Sequence, residues 1–94
     1  PCALGHNGIT NNKKEGDLST PLGTFAFNKI YYRADKFGEK KFKLPSSEIR
    51  KNDGWCDDPK SKQYNQHILF PFNGSAEHLY RDDCIYDIVC VLDY

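Results

Sequence analysis

Ile85-Tyr86-Asp87-Ile88-Val89-Cys90-Val91-Leu92 is the stretch on which the fold class turns. After Asp87 it is unbroken apolar sequence and mostly β-branched. β-Branched side chains are stiff at χ1, crowd a helix and pack well on a pleated surface. A short apolar run of this kind predicts a strand buried on both faces. Cys90, in its middle, reads as a small buried hydrophobe with sheet neighbours on either side.

A second strand is read over Thr24 to Tyr32, where Phe25, Phe27 and Tyr31 alternate with Ala26, Ile30 and Tyr32 at period 2. Thr20-Pro21-Leu22-Gly23 before it is a turn signal, because Pro presets φ and Gly accepts positive φ. Residues 33–44 are basic and irregular. Pro45-Ser46-Ser47-Glu48 reads as a loop with at most one helical turn after it, and Asn52-Asp53-Gly54 as a turn. Ile68 to Phe72 is a short apolar run whose Pro71 places it at a sheet edge or strand end. Asn73-Gly74-Ser75 reads as a turn, with its match to a glycosylation sequon taken as chance, and Ser75 as a cap for a short helix over residues 76–81. Strands, turns and one or two short helices predict a mainly β fold.

The 94 residues make one domain, and a chain of this length buries only about 60–65% of its unfolded surface. Mean hydropathy is -0.73, and no stretch has the roughly 20 apolar residues of a membrane span. Six Tyr, six Phe and one Trp argue against disorder. Thirteen basic residues balance thirteen acidic ones, which weighs against a general nucleic-acid binder. The charge is unevenly spread: residues 29–51 hold 8 basic and 3 acidic groups, residues 52–94 hold 3 and 8. Two solvated faces of opposite sign are the expectation. The chain has no Met and opens Pro1-Cys2-Ala3-Leu4, without a leader pattern. With a strand ending two residues before Tyr94, it is expected to be a processed protein or a piece of a longer one. The unpaired strand edge this would leave makes marginal stability or self-association the expectation.

Chemistry-bearing residues are scattered. Cys2, Cys56, Cys84 and Cys90 allow three disulfide pairings, and nothing in the sequence chooses among them. Cys56 lies in the polar stretch Gly54-Trp55-Cys56-Asp57-Asp58-Pro59 and is expected to be partly exposed, so that alkylation would reach it before Cys90. The two carboxylates after it disfavour a thiolate nucleophile. His6, His67 and His78 lack the close ligand spacing of zinc sites and read as scattered surface groups. Adjacent acids such as Asp57-Asp58 and Asp82-Asp83 point to opposite faces of a strand and form no dyad alone; one acid of the first pair is read as an Asx-turn ahead of Pro59. The glycines match neither phosphate-binding nor dinucleotide patterns.

Several motifs taken in order carry a resemblance. Leu4-Gly5-x-x-Gly8-Ile9 is followed by Lys14-Glu15-Gly16-Asp17-x-x-Thr20-Pro21-x-Gly23-x-Phe25. Gly54 to Pro59, Tyr64-Asn65 and the segment from Leu79 through Tyr94 come next. Together they resemble the N-terminal portion of an L,D-transpeptidase catalytic domain of the YkuD-like kind, in the bacterial branch with a Gly-Trp-Cys-Asp-Asp-Pro loop. The resemblance implies a partial β-sandwich in the bacterial cell envelope or periplasm, acting on peptidoglycan stem peptides. In that family a Cys thiolate attacks the donor stem and the acyl group passes to an acceptor amine, forming a 3→3 crosslink. The family's His and its Gly-Cys motif follow the strand ending at Leu92, and no Gly precedes any of the four cysteines. No catalytic residue is carried over, the chain alone is expected to be inactive, and no cofactor or metal is implied. Trp55, Asp57 and Asp58, which match the loop motif, are the substrate-side candidates. The alternative is a non-catalytic module that binds cell-wall glycopeptide or a protein through its aromatic loop.

Overall fold

The computed structural model describes residues 2–94, and the fold is mainly β. A parallel pair, β1 (Ile9–Thr10) and β2 (Thr20–Pro21), precedes two three-stranded sheets. The first sheet has the long β3 (Phe27–Tyr32) at its centre, flanked by β4 (Ser46–Glu48), parallel, and β8 (Ile88–Leu92), antiparallel. The second has β5 (Asp53–Cys56) at its centre, with β6 (His67–Leu69) and β7 (Ala76–His78) both antiparallel to it. A single helical turn, α1 (Ala34–Phe37), lies in the β3–β4 crossover.

Alternation along β3 decides what its aromatics do. Tyr31 and Tyr32 are both buried, on opposite faces. Tyr31 joins Ile49 and Leu79 in the core, where Trp55 from β5 and Val89 and Val91 from β8 pack against them. This cluster draws on both three-stranded sheets. Tyr32 instead packs edge-on against Phe42, with ring centres 5.2 Å apart. Arg33, only 4% exposed, is a buried charge that needs partners. It donates two hydrogen bonds to Asp35 at 2.7 and 2.6 Å and a third to the Arg81 carbonyl, and the Tyr80 ring lies 3.8 Å from the guanidinium.

β8 departs from its expected role. It pairs only with β3 and forms an edge of its sheet, so it is not buried on both faces. Val89 and Val91 turn into the core, while Ile88, Cys90 and Leu92 are exposed. Cys90 is therefore not a buried hydrophobe. Run composition alone does not distinguish a central strand from an edge strand with one covered face. Cys56 is also corrected: it belongs to β5, not to a polar loop, and is 0% exposed. It points away from Trp55 by strand alternation, and its Sγ faces the Asp58 carbonyl.

Four local readings are overridden by sheet pairing; one is the turn over residues 20–23, whose first two residues form β2 against β1. Residues 46–48 form β4 and not a loop, because the β3 edge accepts them in parallel register, Ile30 opposite Ser46. Residues 76–78 form β7 and not a Ser75-capped helix, since β5 pairs them in register Trp55 to Glu77. The expected turn at 52–54 sits one residue earlier, and Asp53 already begins β5. In each case weak local propensity yields to backbone hydrogen bonds offered by a neighbouring strand. The run at 68–72 does lie at a sheet edge, with Pro71 beyond β6. No helix among the described residues is long and apolar enough to cross a membrane.

Candidate functional site

A groove of about 790 Å³ opens where β5, β6 and β7 face β8 and the β2–β3 segment. Its floor is laid down by register. Trp55 on β5 lies directly opposite His67 on β6 and opposite Glu77 on β7. Directly opposed residues share a face, so these three side chains form one row across the sheet. All three border the groove, as do Tyr86, Val89 and Val91.

Each member of the row is held. The Trp55 ring meets the Tyr31 ring edge-on at 6.4 Å, and its Nε1 donates to Asn65 Oδ1 at 3.1 Å. The His67 ring stacks on Tyr31 at 5.1 Å, nearly parallel. His67 Nε2 lies 2.7 Å from Asp53 Oδ1. Asp53 is itself buried, and its Oδ2 accepts from the Arg50 amide at 2.6 Å. Glu77 Oε2 accepts from the Tyr86 hydroxyl. Burial, then that carboxylate, pushes the Tyr86 phenol up to about 12. His67 also borders a second, polar cavity of about 460 Å³ together with Asp53, Lys29, Arg50 and Ser47.

The three sequence candidates separate. Trp55 lies in the groove; Asp57 and Asp58 do not line it. Asp58 Oδ1 accepts from the Lys60 amide at 3.0 Å, the Asx-turn geometry expected before a turn. Asp57 Oδ1 is buried with no hydrogen-bond partner among the described residues. None of the four thiols hydrogen-bonds a histidine among the described residues; Cys84 Sγ accepts from Lys36 Nζ at 3.5 Å, and Cys56 faces a carbonyl.

The N-terminal glycine-rich motif has a structural account. The Gly5 amide donates to Thr20 Oγ1 at 2.7 Å, and a Cβ at Gly5 would lie 2.5 Å from the Leu18 carbonyl oxygen. Asp17 closes the adjoining loop by accepting from Lys13 Nζ at 2.5 Å and from the amides of Lys14 and Ser19 at 2.9 Å each. The Lys13 hydrogen bond foremost holds its carboxyl down at about 2.

Sequence reasoning missed His67, Asp53 and Glu77. Period 2 could have put Asp53 and Trp55 on one face. The register that brings His67 and Glu77 beside Trp55 depends on which strands pair, and no local signal carries that. Comparison with protein-family models, with curated proteins and with solved structures finds no match for this chain.

Proposed function

We propose that the chain is the N-terminal part of a peptidoglycan L,D-transpeptidase catalytic domain, a partial β-sandwich of that type working in the bacterial cell envelope. The observation that carries this reading is the ordered set of motifs from Leu4 to Tyr94. The mainly β architecture and the open groove beside Trp55 support it. On this reading residues 1–94 supply the groove wall and the loop framework. The nucleophile and its histidine belong to a segment beyond them. Among the described residues Cys56 is enclosed, and no thiol hydrogen-bonds an imidazole.

The experiment is to incubate the chain, and separately the full-length protein, with tetrapeptide stems or a carbapenem and weigh both. A one-acyl adduct on the full-length protein and none on the chain is expected. An adduct on any of the four cysteines, lost when that Cys becomes Ser, would place the nucleophile here and overturn the division. Stem peptides left unchanged by the full-length protein would favour the second reading, a non-catalytic cell-wall or protein-binding module. The enclosed Cys56 and the aromatic groove are the observations on its side.

A further inference from the structure

We propose that the outer face of the first sheet, together with the lysine loop that crosses it, docks on an anionic lipid bilayer. The surface lies on the opposite side of β8 from the core-facing Val89 and Val91, and it is independent of the transpeptidase reading.

Register defines the face. Because Val89 and Val91 turn into the core, Ile88, Cys90 and Leu92 point outward. Their directly opposed partners on β3, Tyr32, Ile30 and Phe27, share that face. The result is two apolar columns about 5 Å apart and about 14 Å long. Phe27, Ile88 and Leu92 are 57%, 53% and 40% exposed, and Cys90 is exposed among them. Contiguous apolar surface left open in this way marks a docking face. Its polar groups are few: the Tyr32 hydroxyl, which is spent within the chain, and the Cys90 thiol. Nothing in the two columns reads a particular sequence or shape, which suits a lipid surface.

Charge identifies the kind of surface. The β3–β4 crossover passes over this same face, since Phe42 packs on the outward Tyr32 ring. The Tyr32 hydroxyl accepts from the Lys40 amide at 3.3 Å and donates to the Lys40 carbonyl at 3.4 Å. The loop is thereby pinned, and it carries Lys40, Lys41 and Lys43, all exposed. None of the three forms an ion pair among the described residues. The cations around them are already matched: Arg33 with Asp35, Lys36 with Asp87, Arg50 with Glu48. Glu48, opposite Tyr32 on β4, is the acid on the face itself, and Glu39 is the one acid in residues 38–45. Three lysines against Glu39 leave net positive charge beside the apolar columns. An anionic bilayer meets both features. Its headgroup phosphates attract the lysines, whose stems can lie along apolar surface, and its acyl boundary receives Phe27, Ile88 and Leu92. Binding of this kind scales with apolar area buried plus attraction to anionic lipid.

The test is flotation of the 94-residue chain with vesicles of equimolar phosphatidylglycerol and phosphatidylcholine, and with vesicles of phosphatidylcholine alone. Binding to the anionic vesicles, lost at high salt, and none to the neutral ones is expected. A lysine near an anionic surface contributes about fivefold to partitioning. Lys41→Ala should therefore weaken binding about fivefold, and the joint change of Lys40, Lys41 and Lys43 to Ala about a hundredfold. Phe27→Ser should weaken it about tenfold by removing apolar area. Circular dichroism melts show that each variant is folded. Anionic vesicles should also slow alkylation of Cys90, and neutral vesicles should not. Equal binding to both kinds of vesicle overturns the proposal. So does binding by folded variants that is indifferent to the joint lysine change or to Phe27→Ser, or a Cys90 alkylation rate untouched by anionic vesicles. If vesicles go unbound while Phe27→Ser disperses self-association of the chain, the face belongs to a second copy instead. Binding by the chain but not by the full-length protein would mean that the remainder of the protein covers the face, and would equally overturn the proposal.

Discussion

Replacing Gly54 by Ala tests whether the glycine of the Gly54-Trp55-Cys56 motif is there for packing. Gly54 lies inside β5, where a glycine is ordinarily a weakness; Ala in open space would gain about 0.5–1 kcal/mol. The space is not open. A Cβ at this position would overlap the ring of Phe70, lie 2.7 Å from Ile68 Cδ1 and lie 3.0 Å from the Glu77 carbonyl oxygen. Phe70 is stacked on His78 with ring centres 3.9 Å apart, and Ile68 is 3% exposed, so neither retreats freely. Overpacking of this kind costs about 1–3 kcal/mol. Set against the strand gain, a net loss of about 1–2 kcal/mol is expected. In a domain of this size that lowers the melting midpoint by about 5–15 °C. Urea titration of the chain, with the slope held common to both proteins, measures it. The double variant with Phe70→Leu should recover part of the loss, since the two sites share one contact. A Gly54→Ala protein as stable as the parent, or more so, would refute the packing account.

Further expectations follow from other parts of the fold. Native-state alkylation mapped by mass spectrometry should label Cys2, Cys84 and Cys90 and spare Cys56 until denaturant is added; labelling of Cys56 at the rate of Cys90 would contradict its enclosure. Asp17, Asp35 and Asp83 are held down at about 2 by the hydrogen bonds of Lys13, Arg33 and Arg81 respectively, against an ordinary 3.8. Because these folded values are depressed, their stabilisation is present above about 4 and is lost as pH falls toward 2; Asp17→Asn should flatten that part of the stability–pH curve, and an unchanged curve counts against the loop account. Arg33→Ala should lower the melting midpoint more than Arg81→Ala, because Arg33 is enclosed while the Arg81 side chain is 39% exposed. The free edge of β8, with Ile88, Cys90 and Leu92 exposed beside it, should make the chain associate as its concentration rises. Light scattering from a monodisperse monomer with a cooperative melt above about 60 °C would refute this.

How much the sequence discloses depends on how local the cause is. The strand over Ile88 to Leu92 and most of the strand ending at Tyr32 are legible, because β-branched and aromatic runs carry their own preference. The Asx-turn at Asp58 is legible for the same reason: a side chain bonds the backbone two residues on. β4 and β7 are not legible. Ser46-Ser47-Glu48 and Ala76-Glu77-His78 have little strand preference, and they are strands because β3 and β5 present unpaired edges to them. Which face of β8 is covered was equally hidden, since that depends on where the second sheet sits. Trp55 could be singled out from sequence. His67 and Glu77 could not, because they meet Trp55 only through pairings with residues 12 and 22 positions away; Asp53 shares the face of Trp55 by period 2, but its contact with His67 depends on the same pairing.

The burial of Cys56 bears on how the Gly-Trp-Cys-Asp-Asp-Pro stretch works as a unit. Strand alternation sends its members in opposite directions: Trp55 toward the groove, Gly54 and Cys56 away from it. On the far side Gly54 makes room for the Phe70–His78 stack, and Cys56 fills enclosed space with a small side chain. Beyond the strand, Asp58 turns the chain while its carbonyl faces the Cys56 thiol. One residue of the stretch meets the groove, and the others fix the backbone that aims it. Cys56→Ser should therefore behave as a core substitution. It would put a hydroxyl into an enclosed site, and an unsatisfied buried hydroxyl costs about 1–3 kcal/mol. Cys56→Ala avoids the polar penalty and should be milder. The Trp55–Glu77–His67 row, and with it the Trp55 fluorescence spectrum, should survive Cys56→Ala in folded protein. A changed spectrum with stability intact would mean that the thiol acts on the groove directly, and would overturn this division of labour within the motif.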